Sequence, residues 1–222
     1  MKIDQFFQKG YYINLERRPE RRVAFGKEVE NLNLVGFFER YLGVDDIPTA
    51  RAINPWEPSY VWSGMCCSKA FHNVFAQMKA DNVERGLVCE DDAHFLDGGL
   101  STIEAALDQI EQFPDWDLLY LGGLVKDHQG IQVSENLLRV EKVLTMHAVG
   151  VNRKCLDEIL TYRPYHDSIY DGWMAHRTSL KKYLVYPKSV IQNEGPSDID
   201  ASGHSLLNKN WDDSYDKLKI VK

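Results

Sequence analysis

Long apolar runs are missing from this 222-residue chain. No stretch approaches the roughly 18 residues that a membrane-crossing helix needs, and the N-terminus has no apolar signal core. The expectation is a chain without a transmembrane segment, with peripheral membrane association left open. Cysteine is scarce. Cys66, Cys67, Cys89 and Cys155 form no CxxC pair, so neither a disulfide framework nor a zinc cage is indicated. Four reduced thiols, mostly buried, are expected. Asn-x-Ser/Thr sequons are absent too. These absences together predict a cytoplasmic or cytosol-facing location. A basic excess is also lacking: 26 Lys+Arg stand against 33 Asp+Glu, a formal charge of −7. Nucleic acid is therefore not an expected partner, because a phosphate-neutralising surface needs concentrated positive charge. Arg17, Arg18, Arg21 and Arg22 do cluster, but Glu16 and Glu20 are interleaved with them. A local site for a small anionic ligand remains compatible with that pattern.

What is present is ordinary for a globular domain: 44% hydrophobic and 27% charged residues. Internal repeats and low-complexity linkers are not seen. The pattern predicts a first strand at 11–15 and a helix from Pro19 with Val23, Val29 and Leu32 inward. A strand at 37–42 and an extended loop over 43–62 follow. In that loop Trp56, Tyr60 and Trp62 fit either a core or a ligand cleft. Cys67, Phe71, Val74, Phe75 and Met78 recur at helical spacing over 64–80. Residues 86–89 read as a buried strand, and Ile103, Leu107 and Ile110 mark another helix. A strand at 117–121 is expected to end at Gly122-Gly123. Strands at 131–133, 147–151 and 183–186, and helices over 153–160 and 168–176, complete the reading. Alternating strands and helices favour a single α/β domain. Its expected extent is 1–205, with a short charged C-terminal extension over 206–222.

The sharpest local signal is Leu87-Val88-Cys89 running into Glu90-Asp91-Asp92. Successive carboxylates repel one another and are costly to bury unpaired. They are cheap in a solvated turn, and useful around a divalent cation. In open α/β sheets, ligand sites gather beyond the carboxyl ends of strands. Glu90 and Asp92, two residues apart, share a side of an extended backbone, with Asp91 facing away to hold the turn or a sugar hydroxyl. Mn²⁺ or Mg²⁺ suits such oxygen ligands. A solvated acidic loop is the plain alternative. His94 is read as nonligating.

Several segments in order carry a resemblance. Tyr12-Ile13-Asn14-Leu15-Glu16-Arg17-Arg18-Pro19-Glu20-Arg21-Arg22, Gly64-Met65-Cys66-Cys67-Ser68-Lys69, Leu87 to Phe95 and Asp115 to Gly122 form its first half. His147 to Val151, Tyr170-Asp171-Gly172-Trp173 and Gln192 to Ile199 form its second. Over about residues 10–200 the chain resembles family 25 glycosyltransferases, which include bacterial lipooligosaccharide galactosyltransferases and relatives of collagen galactosyltransferases. Met65 stands where that family has cysteine, and Lys69 where it has histidine. The resemblance implies a GT-A-like nucleotide-diphospho-sugar transferase fold, with a central, mostly parallel mixed sheet flanked by helices. It further implies a UDP-sugar donor, a glycan or protein-linked acceptor, and often Mn²⁺.

On that reading Glu90 and Asp92 hold the metal. Arg18, Arg21, Arg22, Lys69, Asp91 and His147 contact or orient the donor. Asp171 is the base for an inverting transfer of galactose or glucose, with Asp167 as runner-up. Trp173 is a sugar platform or a packing residue, and Ser197-Asp198 a late loop or cap. Asp115 and Asp117 are read as turn residues. Two alternatives stand beside the transferase: a metal-dependent phosphoryl-transfer or nuclease-like enzyme using the same acidic cluster, and a noncatalytic carbohydrate-binding protein.

Overall fold

The computed structural model describes residues 1–126, 129–193 and 218–221. Strands β1 (Lys9–Asn14), β2 (Phe38–Leu42) and β3 (Arg85–Glu90) run parallel, with β1 between the other two. A short strand β4 (Ala93–Phe95) follows β3 directly. Strand β5 is Leu118–Val125, and β6 (Gln129–Ser134), β7 (Leu137–Val140) and β8 (Val143–Asn152) come next. The last three strands are β9 (Lys182–Val185), β10 (Val190–Gln192) and β11 (Lys219–Val221). Nine of them form one sheet in the order β11-β6-β7-β9-β5-β8-β3-β1-β2, while β10 and β4 pair separately. Four of the eight ladders in the large sheet are antiparallel, those made by β8 with β3 and β5 and by β7 with β6 and β9. The other four are parallel, so seven strands share one direction and only β7 and β8 oppose it. The sheet is thus mixed, and parallel in its predominant direction.

Strand alternation builds two cores. Tyr11, Val88, Leu118, Tyr120 and Val149 face one side. Leu87, Cys89, Leu119, Leu121 and Ala148 face the other, as a two-residue period requires. Helix α4 (Ser59–Ala80) covers the first face with Phe71, Val74, Phe75 and Met78, spaced three and four apart. The short helices α6 (Leu156–Ile159) and α7 (Tyr170–Ala175) join it there. The second face takes α1 (Ile3–Phe6), α2 (Pro19–Asn31) and α5 (Gly99–Ile110). Helix α5 buries Ile103, Ala106, Leu107 and Ile110, one continuous stripe.

Several sequence expectations need correction. In α2 the inward residues are Phe25 and Val29, while Val23 is exposed. Val23 lies two positions from Phe25, about 200° round the helix from it. The 43–62 segment is not one loop. It holds α3 (Ile47–Ile53), whose first turn carries Pro48 and is capped where Asp46 accepts from the Thr49 amide (3.4 Å). Proline near a helix start reads like a loop signal but is harmless there. Residues 153–160 form a 3-10 turn and the one-turn α6 rather than a continuous helix. Strand β5 does not stop at Gly122-Gly123 but runs through them. A Cβ at Gly122 would lie 2.0 Å from the Val190 carbonyl, so glycine here permits a close backbone crossing rather than a turn. Strand β11, within the expected charged extension, pairs with β6 at the sheet edge. Residues 206–217 of that extension, and Ser197-Asp198, lie outside the described residues.

Candidate functional site

The carboxyl ends of β1 and β3 lie side by side, and the polar site is built there. Asn14 ends β1 and is 1% exposed. Its amide nitrogen donates to Asp91 Oδ2 (2.7 Å) and to the Arg18 carbonyl (3.0 Å), and its oxygen accepts from Arg40 Nε (3.0 Å). Arg21, on the first turns of α2, donates to Asp91 Oδ1 (2.9 Å) and reaches Asp92 Oδ2 (3.5 Å). Asp91 is buried with a partner on each oxygen. It holds the turn.

Glu90 and Asp92 have a different environment. Glu90 accepts from the Cys67 thiol on α4 (3.6 Å) and from the Gln192 side-chain amide on β10 (2.9 Å). Asp92 Oδ1 is buried with no hydrogen-bond partner among the described residues. Burial raises the pKa of both carboxyls, and negative neighbours push the same way; Arg21 partly offsets this at Asp92. Burial and Glu90 likewise hold Cys67 as a thiol. Among the described residues no group of three or more His, Cys, Asp and Glu side chains gathers as a ready metal cluster. The pair still fits a hard divalent cation. An unpartnered carboxylate oxygen, two mutually repelling acids and an all-oxygen donor set suit an ion that completes its shell with water or phosphate oxygens.

The other predicted residues fall at different distances from this centre. Asp171, at the start of α7, accepts from the Thr145 amide (3.0 Å) and the Gly172 amide (2.6 Å). Its charge is one of the lesser causes that raise Glu90. Asp167 is bound to Arg163 through side chain (2.7 Å) and backbone (2.7 Å), and these contacts lower its pKa. His147 is 3% exposed. Its Nε2 donates to the Val190 carbonyl (3.3 Å), and its buried Nδ1 has no partner among the described residues. Burial pushes its pKa down to about 4, so the ring is neutral near pH 7. Lys69 lies over the Tyr165 ring (4.8 Å). Arg18 pairs with Glu20 (3.3 Å), and Arg22 is exposed.

Trp173 packs among Tyr162, Tyr170 and Arg177, the packing alternative. Trp62 donates to the Asn54 carbonyl (2.8 Å), whereas Trp56 is 95% exposed. His94 meets Glu28 (2.7 Å). Asp117 accepts from the Lys181 amide (2.7 Å), a turn role. Residues that carry the site and were not singled out are Asn14, Arg40, Cys67 and Gln192. All but Arg40 lie inside the motif segments, yet only the fold brings them to the carboxylates.

No family model matches the chain. A glycosyltransferase 25 family member from Aedes aegypti is 32% identical over 126 residues, covering 50% of this chain and 20% of that protein. A probable inactive glycosyltransferase 25 family member 3 from Rattus norvegicus is 27% identical over 131 residues, covering 52% and 23%. Half of this chain is homologous to family 25 glycosyltransferases. The match spans about a fifth of each family 25 relative's length. Among solved structures, UDP-glucose pyrophosphorylase complexed with UDP-glucose aligns at a TM-score of 0.45 and 8% identity, over 82% of this chain and 73% of that one. A197 from STIV aligns at 0.45 and 9%, over 86% and 98%. No described helix is long and apolar enough to cross a membrane.

Proposed function

We propose that this chain is a GT-A-like glycosyltransferase that moves a sugar, galactose or glucose, from a UDP-sugar to a hydroxyl of a glycan or protein-linked acceptor. The family 25 homology supports the class. The observation that carries the reading is the acidic turn at the carboxyl end of β3, where Glu90 and Asp92 are held close, raised in pKa, and one oxygen of Asp92 is buried unpartnered. The place agrees with the rule that open α/β sheets bind ligands beyond their carboxyl strand ends.

The chemical problem is charge separation, with negative charge gathering on the departing diphosphate while the sugar becomes cationic. Glu90 and Asp92 would hold Mn²⁺ or Mg²⁺, which when bound neutralises that diphosphate charge. Arg21, fixed by Asp91 and Asp92, presents positive charge at the edge of the site, and Arg18 and Arg22 lie on the same helix start. Asp171 takes the proton from the acceptor hydroxyl at a carboxylate oxygen. Each of its oxygens accepts one backbone N–H, which fixes the group and leaves lone-pair capacity for the proton. Asp167 is the poorer base, because Arg163 stabilises its charged form. Neutral His147 acts by orientation, not charge. Lys69 is left as a contact to the distal part of a donor or acceptor.

The test is a screen of UDP-galactose and UDP-glucose with Mn²⁺ and an acceptor panel, read as UDP release and product mass. Asp92→Asn is expected to lower metal-dependent turnover at least 100-fold with an unchanged melting profile. Equal turnover by wild type and variant at subsaturating Mn²⁺ rules out the assignment. A second reading, a noncatalytic sugar-binding protein, is favoured by the word "inactive" in the names of two relatives. Donor binding with no UDP release across the panel supports it.

A further inference from the structure

Gln192 touches the acidic pair directly and has no part in the proton and charge movements of the proposed reaction. Its Nε2 donates to Glu90 Oε2 at 2.9 Å, and its amide also favours the charged form of the neighbouring Asp92. Its backbone is tightly placed. Strand β10 pairs with β4 through Val190↔Phe95 and Gln192↔Ala93. The Asn193 amide donates to the Asp92 carbonyl (2.7 Å), and the Leu96 amide to the Ser189 carbonyl (3.0 Å). On the other side His147 donates to the Val190 carbonyl (3.3 Å), and Gly122 lets that carbonyl approach β5. The side chain is thus delivered to Glu90 and Asp92 by a strand held on both flanks.

A neutral amide can serve this place in two ways. Its NH₂ end donates to carboxylates, standing in for a positive charge. Its oxygen end accepts, and is a recognised ligand for hard cations. The two ends have nearly the same shape, so a half-turn about the last side-chain bond exchanges them without moving β10.

We propose that Gln192 is the third protein ligand of the cation site, with NH₂ turned toward Glu90 when the site is empty and Oε1 turned inward when it is loaded. This rests on the cation-dependent reading above. It also fits the finding that, among the described residues, no three His, Cys, Asp or Glu side chains gather to hold a metal. A neutral oxygen completes the protein's share of the coordination without adding repulsion to two buried acids.

The experiment is a titration of the full chain with Mn²⁺ alone, following free Mn²⁺ by electron paramagnetic resonance, for wild type, Gln192→Leu and Gln192→Glu. Melting curves accompany each variant. Gln192→Leu is expected to weaken Mn²⁺ binding about 10-fold. Gln192→Glu supplies a charged oxygen in the same place and is expected to bind at least as tightly as wild type. If Gln192 is only a hydrogen-bond donor to Glu90, Gln192→Leu binds Mn²⁺ as well as wild type or better, and the ligand role is overturned. If Gln192→Leu does not fold, Gln192→Glu decides, weaker binding than wild type being the contrary result. A wild type that binds no Mn²⁺ overturns this proposal and the cation-dependent function together, whereas a defect confined to sugar transfer overturns only the latter.

Discussion

Asn14 uses both amide hydrogens and its oxygen to join the carboxyl end of β1 to three segments: the start of α2, the acidic turn and β2. Its partner Asp91 is 77 positions away in the chain. That separation explains why Asn14 was legible as part of a motif but not as a hub. Residue type and local order can be read from the sequence, whereas a contact between two strand ends exists only once the strands pair. Asn14→Ala leaves Asp91 and Arg40 short of a partner and is expected to cost about 1–3 kcal/mol, the usual penalty for stranding a buried polar group. Urea unfolding measures it. Asn14→Asp sets a second carboxylate against Asp91 and is expected to cost more than alanine. If aspartate proves the milder change, Asp91 is not held as a charged acceptor. The same scale shows why Glu90, Asp91 and Asp92 differ in role. Three carboxylates in a row are separated by what the fold brings to them: a charged partner and an amide for Asp91, only neutral donors for Glu90, and, among the described residues, one orphan oxygen for Asp92.

Among the elements, α4, α5, β1 and β3 were legible because each is long enough to repeat its period. Strands β4 and β10 have three residues each, too few for alternation to register. Yet they carry Gln192 to the site. The glycine pair at 122–123 misled for a related reason, since glycine signals a turn and a close backbone crossing equally well. The crossing makes its own prediction. In Gly122→Ala the new Cβ meets the Val190 carbonyl and His147 Nε2, both under 3.0 Å away. Backbone must move, and the expected cost is about 1–3 kcal/mol. Because β10 is what moves, Mn²⁺ affinity is expected to fall several-fold in the same variant. Loss of stability with Mn²⁺ affinity intact would separate β10 from the site. Calorimetry and the Mn²⁺ titration together decide.

For the whole molecule, the mixed sheet with helices on both faces was readable from alternating elements, and the predominance of one strand direction from the resemblance. The two reversed strands were not, because nothing local distinguishes a parallel from an antiparallel neighbour. The fold also concentrates unpaired acidity at one point, which sets a pH dependence. Glu90 and Asp92 have folded-state pKa values above their unfolded ones. Between those values the folded state binds more protons, so the pair's contribution is fully present below the unfolded values and is lost as pH rises. His147 acts oppositely. Its folded value, pushed down to about 4, means that stability is lost as pH falls below the ordinary histidine range. Without divalent cation, Glu90→Gln is expected to stabilise the protein at pH 8 by on the order of 1 kcal/mol, with little effect at pH 4. A pH series of thermal melts reads the difference, and an equal effect at both ends would deny the raised pKa.

The central claim is that Glu90 and Asp92 grip a cation that in turn binds a nucleotide diphosphate. Isothermal titration of UDP into wild type and Asp92→Asn, each with and without Mn²⁺, tests it directly. The account predicts that Mn²⁺ tightens UDP binding at least 10-fold in the wild type and leaves the variant unchanged. Equal UDP affinity in all four titrations, or an identical Mn²⁺ effect in both proteins, would contradict it.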